Sequence, residues 1–322
     1  MKLGIFTVLF GDKTLGQALD YIKSQGLDAV EIGVGGYPGK KHADAAALLE
    51  DEQKLQDFKR EIETRGLEIS ALSCHGNPLH PKREVAEQFH KDFVDAVRLA
   101  EKLGVETVIG FSGCPGESDF SQNPVWVTCA WPTEHAEVLE WQWKEKVVPY
   151  WTEMSAFVRK HGVRVAIEPH PGFVVYNTET ALRLRREAGD NIGVNFDPSH
   201  LYWQQMDPNE CLKELAKAGA LYHFHAKDTA FDERNMALNG VLDTKPYQDE
   251  LNRSWIFRTV GYGHGEESWK KMISTLQMVG YEGTISIEHE DSLMSTEEGF
   301  EKAVSHLKSL LIRNRMKEIW WA

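Results

Sequence analysis

Eight short apolar runs, each followed by a longer stretch of helical character, constrain the fold of this chain more than any other feature. They cover residues 3–8, 29–32, 67–72, 105–111, 163–167, 192–196, 220–224 and 283–287. Runs this short and rich in β-branched residues read as strands buried on both faces. Between them, Phe89, Phe93, Val97, Ala100 and Leu103 recur on one helical face, as do Phe300, Ala303, Val304, Leu307 and Leu311. Helix-start signals agree: Asp207-Pro208-Asn209-Glu210 offers a cap and a proline, and Thr14 with Gln17 and Ser295 with Glu298 fit capping boxes. Gly26, Gly66, Gly104 and Gly162 each precede a run and fit left-handed helix ends.

Over 322 residues, eight such units take about 40 residues each, the proportion of a (β/α)8 TIM barrel with insertions. A doubly wound open sheet requires a glycine fingerprint after its first strand, and Phe10-Gly11-Asp12-Lys13-Thr14 is not one. The expectation is one α/β domain, residues 1–322, with extended loops after the fourth and seventh strands, at about 112–132 and 228–265. Extensions after barrel strands lie on the carboxyl-terminal face, where active sites are built.

The last four strands end on ionisable groups: Glu168-Pro169-His170, Asp197-Pro198-Ser199-His200, His225-Ala226-Lys227-Asp228 and Glu288-His289-Glu290. Glu168, Asp197 and His225 follow one another at 29 and 28 residues, one strand–helix unit each. Four such groups at neighbouring strand ends converge over the barrel axis. A single acid at a strand end is ordinarily a solvated loop residue or a helix cap. Several carboxylates grouped at a barrel mouth repel one another, and a cation is the simplest remedy. Three carboxylates and one imidazole suit one divalent ion, Mn²⁺ first, with Mg²⁺ and Co²⁺ close and Zn²⁺ less natural.

The set Glu168, Asp197-x-x-His200, His225-x-Lys227-Asp228 and Glu288 resembles the signature of the xylose-isomerase-like superfamily, over most of the chain. That group holds sugar isomerases and epimerases, inosose dehydratases, hydroxypyruvate isomerases and endonuclease IV. The resemblance implies that Glu168, Asp197, His225 and Glu288 hold the metal and that Glu168 and Glu288 also move protons. It departs from endonuclease IV: Phe111-Ser112-Gly113 ends the fourth strand where a histidine is needed, and Asp228 is followed by Thr229-Ala230 instead of an Asp-x-His. A net charge of −13 also argues against nucleic acid, whose affinity comes from clustered Lys and Arg.

The chemistry expected of such a site is metal-assisted proton abstraction beside a carbonyl, with Glu168 and Glu288 as bases and His200 assisting or touching substrate oxygen. Proton return to the other face is epimerisation, to the neighbouring carbon isomerisation; loss of a β-substituent is elimination. Three readings stay open. The first is a sugar or keto-sugar isomerase/epimerase. The second is a lyase of the same superfamily: a dehydratase or a 3-keto-glycoside-eliminating enzyme such as the large subunit of a C-glycoside deglycosidase. The third is a non-catalytic carbohydrate-binding barrel.

Substrate contacts are expected from His75, Asn77, His170, Lys227 and Arg258, with Glu31 as a further hydroxyl contact. Lys227 reads equally as a partner for Asp228, and Arg258 as a salt-bridge residue. His223, sharing a strand face with His225, belongs one layer deeper. Trp126, Trp131, Trp141, Trp143 and Trp151, half of the ten tryptophans, fall within 26 residues and could wall a pocket or pack beneath a lid. The four cysteines form no CxxC pair, no apolar run spans a bilayer, and residue 1 leads straight into strand pattern. A cytoplasmic protein without a membrane or nucleic-acid partner is expected, its assembly into a homo-oligomer left open.

Overall fold

The first strand, β1 (Lys2–Phe6), pairs in parallel with both β2 (Ala29–Gly33) and the last strand, β10 (Thr284–Ile287). That double pairing closes the sheet. Between them run β3 (Glu68–Ser73), β4 (Thr107–Gly110), β5 (Arg164–Ile167), β6 (Ile192–Phe196) and β7 (Leu221–Ala226). The order is β1-β10-β7-β6-β5-β4-β3-β2, a closed eight-stranded parallel barrel ringed by helices. This computed structural model describes residues 1–314, 316 and 318–321. Every expected strand is present, with ends that differ from expectation by no more than two residues. Among the described residues, no helix is long and apolar enough to cross a membrane, and all four cysteines are free.

Local signals account for the helix ends. Thr14 and Gln17 form a complete capping box, and Asp207 caps Pro208–Lys217 through the Asn209 amide. Ser295 caps Thr296–Leu310 by accepting from the Glu298 N–H. Gly104 ends Arg83–Leu103 at φ 73°, a left-handed turn that favours glycine.

The main apolar core lies between the strands and the surrounding helices, and includes Phe10, Leu19, Phe93, Trp151, Leu212, Trp269 and Phe300. Inside the barrel the filling divides. Ala71, Ile109 and Ala166 form a separate small apolar cluster. The rest of the interior carries polar groups, among them Glu31, Ser73, Asn195, His223 and Ser286, all buried. Barrel interiors are ordinarily filled by branched apolar side chains. The polar filling is therefore a feature that needs its own account.

The two long connections differ from expectation in kind. Residues after β7 form a second sheet: β8 (Asp228–Phe231) pairs antiparallel with β9 (Trp255–Arg258), joined through a helix at Glu233–Asn239. Trp255 and Phe257 of this ribbon pack with Trp203 as a small apolar cluster. The tryptophan-rich segment becomes helical over Thr133–Lys160, with a π-helical turn at Gln142–Val147 just before Pro149. Trp143 and Trp151 are fully buried in the core, and Trp126 packs edge-on against Tyr176. These tryptophans support the loop after β4 and do not line the cavity at the barrel mouth.

Candidate metal centre and its cavity

Four strand ends bring Glu168, Asp197, His225 and Glu288 together, with ligand atoms all within 4.8 Å of one another. His225 Nδ1 lies 3.1 Å from Glu288 Oε2 and 3.3 Å from Glu168 Oε2. Asp197 begins the short helix Pro198–Tyr202, and its Oδ1 accepts the Ser199 N–H at 2.8 Å. Its other oxygen, Oδ2, is buried and accepts no hydrogen bond. A buried carboxylate oxygen that has His200 at 3.2 Å and Lys227 at 3.8 Å but no hydrogen bond calls for an explanation. A divalent cation among three carboxylates and an imidazole supplies one, and the donor set fits it.

Electrostatics point the same way. Burial pushes the Glu168 carboxyl up, but the imidazoles of His75, His200 and His225 outweigh it and hold the group well below the usual carboxylate range. Glu288 follows: burial raises it, and Lys227 and His225 bring it down to about 2. Asp197 is raised, because its burial and the charges of Glu288 and Glu168 exceed the pull of His200 and Lys227. Burial lowers His225, yet Glu31, Glu288 and Glu168 hold it well above the ordinary histidine range. The cluster demands positive charge at Nδ1, and a bound cation meets that demand in place of a proton.

The remaining expected residues separate into two groups. His75, His170 and Lys227 line the same cavity as Glu168 and Glu288, about 420 Å³ in volume. His75 Nε2 contacts Glu168 Oε2 at 3.1 Å. His170 turns Nδ1 to the Pro171 carbonyl at 2.7 Å, and burial holds it well below the usual range, so neutral Nε2 remains as an acceptor. Lys227 reaches Glu290 at 2.7 Å, Glu288 at 3.5 Å and Asp197 at 3.8 Å, and lies over the Phe257 ring. These carboxylates, and not Asp228, are its ion-pair partners among the described residues. His200 is fully buried and sits behind the quartet, 3.4 Å from Glu168 and 3.2 Å from Asp197.

Asn77 and Arg258 are not brought to this cavity. Asn77 Nδ2 donates to the Cys114 carbonyl, while Oδ1 accepts from the amides of Cys114 and Leu79, pinning the loop after β4. Arg258 makes a bidentate pair with Glu250 at 2.6 and 3.2 Å and faces Asp291 at 3.5 Å, which consumes its guanidinium. Asp228, adjacent to Lys227, instead gathers the glycine run 261–265 around its own carboxylate. A Cβ at Gly263 would meet the Thr229 carbonyl at 2.3 Å, so only glycine allows this wrap. The run embraces a carboxylate of the chain itself and is not a phosphate cradle.

Glu31 also departs from expectation. It is wholly buried, and it contacts His225, Ser73 and Ser286 in place of a cavity. Asn195, not anticipated at all, donates Nδ2 to Glu168 Oε2 at 2.8 Å and faces His223 Nδ1 at 3.0 Å. The available signal was a polar residue inside an otherwise apolar strand. His223 lies one layer below His225, as expected, and burial lowers it to about 4, so it is neutral. Aromatic rings make up much of the remaining cavity wall: Phe6, Tyr37, Phe111 and Phe173, with the last two stacked at 4.3 Å.

A closed parallel barrel with this quartet at its carboxyl-terminal mouth defines a class, and the sequence comparison agrees. Residues 19–310 match the xylose isomerase-like TIM barrel family, and the chain belongs to it. The chain is 36% identical to the uncharacterized protein YfiH of Bacillus subtilis, over 97% of its own length and 99% of that protein. Among solved structures it resembles a D-tagatose 3-epimerase-like protein (TM-score 0.64, 18% identity, 96% and 98% of the two chains). The probable 3-DHS dehydratase AsbF of Bacillus anthracis is similar to the same degree (0.64, 17%, 98% and 100%). So is the IOLI protein with a bound zinc atom (0.64, 18%, 97% and 98%). At such identities these likenesses concern the fold.

Proposed function

We propose that this chain is a divalent-metal-dependent isomerase or epimerase of a sugar or keto-sugar, in which Glu168 and Glu288 transfer the proton. One observation carries the reading. The two glutamates follow β5 and β10, with β6 and β7 between them in the barrel order, and both reach the same His225 nitrogen beside the cavity. A substrate carbon held there has a carboxylate on each of two sides.

The ion, when bound, supplies Lewis-acid stabilisation of the negative charge that proton removal leaves on the substrate oxygens. Mn²⁺ is the ion of choice for these ligands, with Mg²⁺, Co²⁺ and Zn²⁺ as alternatives. Both glutamates are held ionised, as a base requires. Lys227 and His170 face the same space with a donor and an acceptor for hydroxyl or carbonyl groups. His200 stands behind Glu168 and Asp197, 3.4 and 3.2 Å from their oxygens. The named activities among the structural neighbours, a 3-epimerase-like protein and a dehydratase, both suit enolisation chemistry.

A lyase that eliminates from a 3-keto-glycoside is the second reading, favoured by the aromatic wall. Phe6, Phe111 and Phe173 offer a face for an apolar substituent that a free sugar lacks. One experiment addresses both. Mn²⁺-loaded protein is incubated with ketoses and keto-glycosides in D₂O, and deuterium incorporation and products are followed by NMR. Exchange at a carbon-bound position, lost in Glu288→Gln, supports enolisation; a released aglycone selects the lyase. Absence of both over a broad panel sinks the proposal.

A further inference from the structure

We infer that Glu31 is the positioning residue of the metal centre: it fixes the tautomer and ring orientation of His225. The inference rests on the metal reading above. It concerns a residue in a layer below the quartet of Glu168, Asp197, His225 and Glu288 and outside it.

Glu31 lies in a strand, Ala-Val-Glu-Ile-Gly, whose residues are all buried, and it has no exposed surface. An ionised carboxylate in that position is costly unless fully partnered. Its partners come from three other strands. Both oxygens approach His225 Nε2, at 2.8 and 2.9 Å. Ser286 Oγ donates at 2.7 Å and Ser73 Oγ at 2.5 Å. The β2–β3 register shifts between Val30 and Glu31, leaving Ser70 as an extra residue on β3. Such bulges re-aim side chains beside active sites.

Imidazole has two nitrogens, and only one bears hydrogen when neutral. Glu31 accepts and cannot donate, so it takes the hydrogen on Nε2. That leaves the Nδ1 lone pair turned toward Glu168 and Glu288, where a cation ligand is needed. Phe6 stacks against the same ring at 5.8 Å and limits its rotation. The rival arrangement makes Glu31 itself a ligand of a deeper ion with His223 and His225, a grouping that the geometry allows. Against it, the Glu31 oxygens already accept three donors, and His223 Nδ1 is turned to Asn195 at 3.0 Å, with Glu31 at 3.9 Å.

The test is Mn²⁺ affinity of the full chain, by chelator competition, with stoichiometry by isothermal titration. Removal of such an outer partner costs about 10–100-fold in metal affinity, and that loss is expected for Glu31→Gln with one ion still bound. Glu31→Asp should recover part of it, and the visible spectrum of the Co²⁺-loaded variant should shift. An unchanged affinity in a variant with native circular dichroism overturns the inference and leaves the metal reading standing. Loss of a second bound ion overturns it in favour of the ligand role. If wild type binds no divalent ion, both readings fall together. Should Glu31→Gln not fold, Ser286→Ala removes one Glu31 donor without touching a ligand. A weakening of at least about threefold is then expected, below the full outer-partner loss, and none refutes the inference.

Discussion

Replacing Asp228 by asparagine tests how the ribbon after β7 is fastened beside the site. The Asp228 carboxylate is fully buried and takes six donors. Oδ2 accepts from the amides of Gly261, Gly263 and His264 at 2.9, 3.2 and 3.0 Å and from the Trp269 indole at 3.1 Å. Oδ1 accepts from the Thr229 amide at 2.8 Å and His264 Nδ1 at 2.9 Å. Asparagine keeps one acceptor oxygen, which will occupy the Oδ2 position where four donors converge. Its NH₂ group then faces the Thr229 N–H, while His264 adapts by changing tautomer. One orphaned buried donor costs about 1–3 kcal/mol, and four bonds lose a charged acceptor. These bonds share one oxygen and do not add fully, so the expected destabilisation is about 3–5 kcal/mol. The assay is the denaturant midpoint at constant m, with amide exchange at Gly261, Gly263 and His264, which should accelerate. A change below about 0.5 kcal/mol, the range of an ordinary surface substitution, would refute the anchoring argument.

Lys227→Met removes the one ammonium among three carboxylates; the metal-free protein should lose about 3–5 kcal/mol while Mn²⁺ binds more tightly, and weaker binding by titration contradicts that electrostatic picture. Mn²⁺ at 100 times its Kd should stabilise the chain by about 2.7 kcal/mol relative to EDTA-treated protein. A thermal midpoint indifferent to Mn²⁺, Mg²⁺, Co²⁺ and Zn²⁺ denies the site. Lys227 is the single Lys or Arg among the described residues lining the cavity, and Glu290 already pairs with it. A phosphorylated ketose should therefore bind at least about tenfold less tightly than its free counterpart, a 1.4 kcal/mol step in calorimetry. Asp243 is pushed up by burial but brought down from 3.8 to about 2 by Lys245 and the Ser254 amide. Its folded pKa is depressed, so its contribution of up to about 2 kcal/mol is present above pH 4 and lost as pH falls toward 2. Asp243→Asn should flatten that part of the acid-unfolding curve, and an unchanged curve counts against it.

What could be read from the chain beforehand follows from where each residue's partners lie. Glu168, Asp197, His225 and Glu288 were visible because each ends an apolar run, and a barrel delivers strand ends to one mouth without further information. Asn77 follows β3 and Arg258 ends β9, yet their partners, Cys114 for one and Glu250 and Asp291 for the other, belong to connections whose path no periodicity specifies. The ribbon of β8 and β9 escaped notice for a similar reason: two four-residue segments separated by a helix carry too little alternation to announce pairing.

Glu31 shows the more general limit. A charge inside a buried strand demands partners, so its presence signalled a network, but the members of that network stand 42, 194 and 255 residues away. Periodicity predicts which way a side chain points and says nothing of what it meets across a closed barrel. The polar interior gains a reason once these contacts are known. Glu31 serves His225, and Asn195 serves Glu168 with His223 behind it, so each arm ends on one member of the quartet. Register shifts precede both Glu31 and Asn195, at Val30/Glu31 and Val194/Asn195. Two independent irregularities in an otherwise regular barrel therefore fall at the two residues that contact His225 and Glu168 from below, and regular strands would have served packing better than bulged ones.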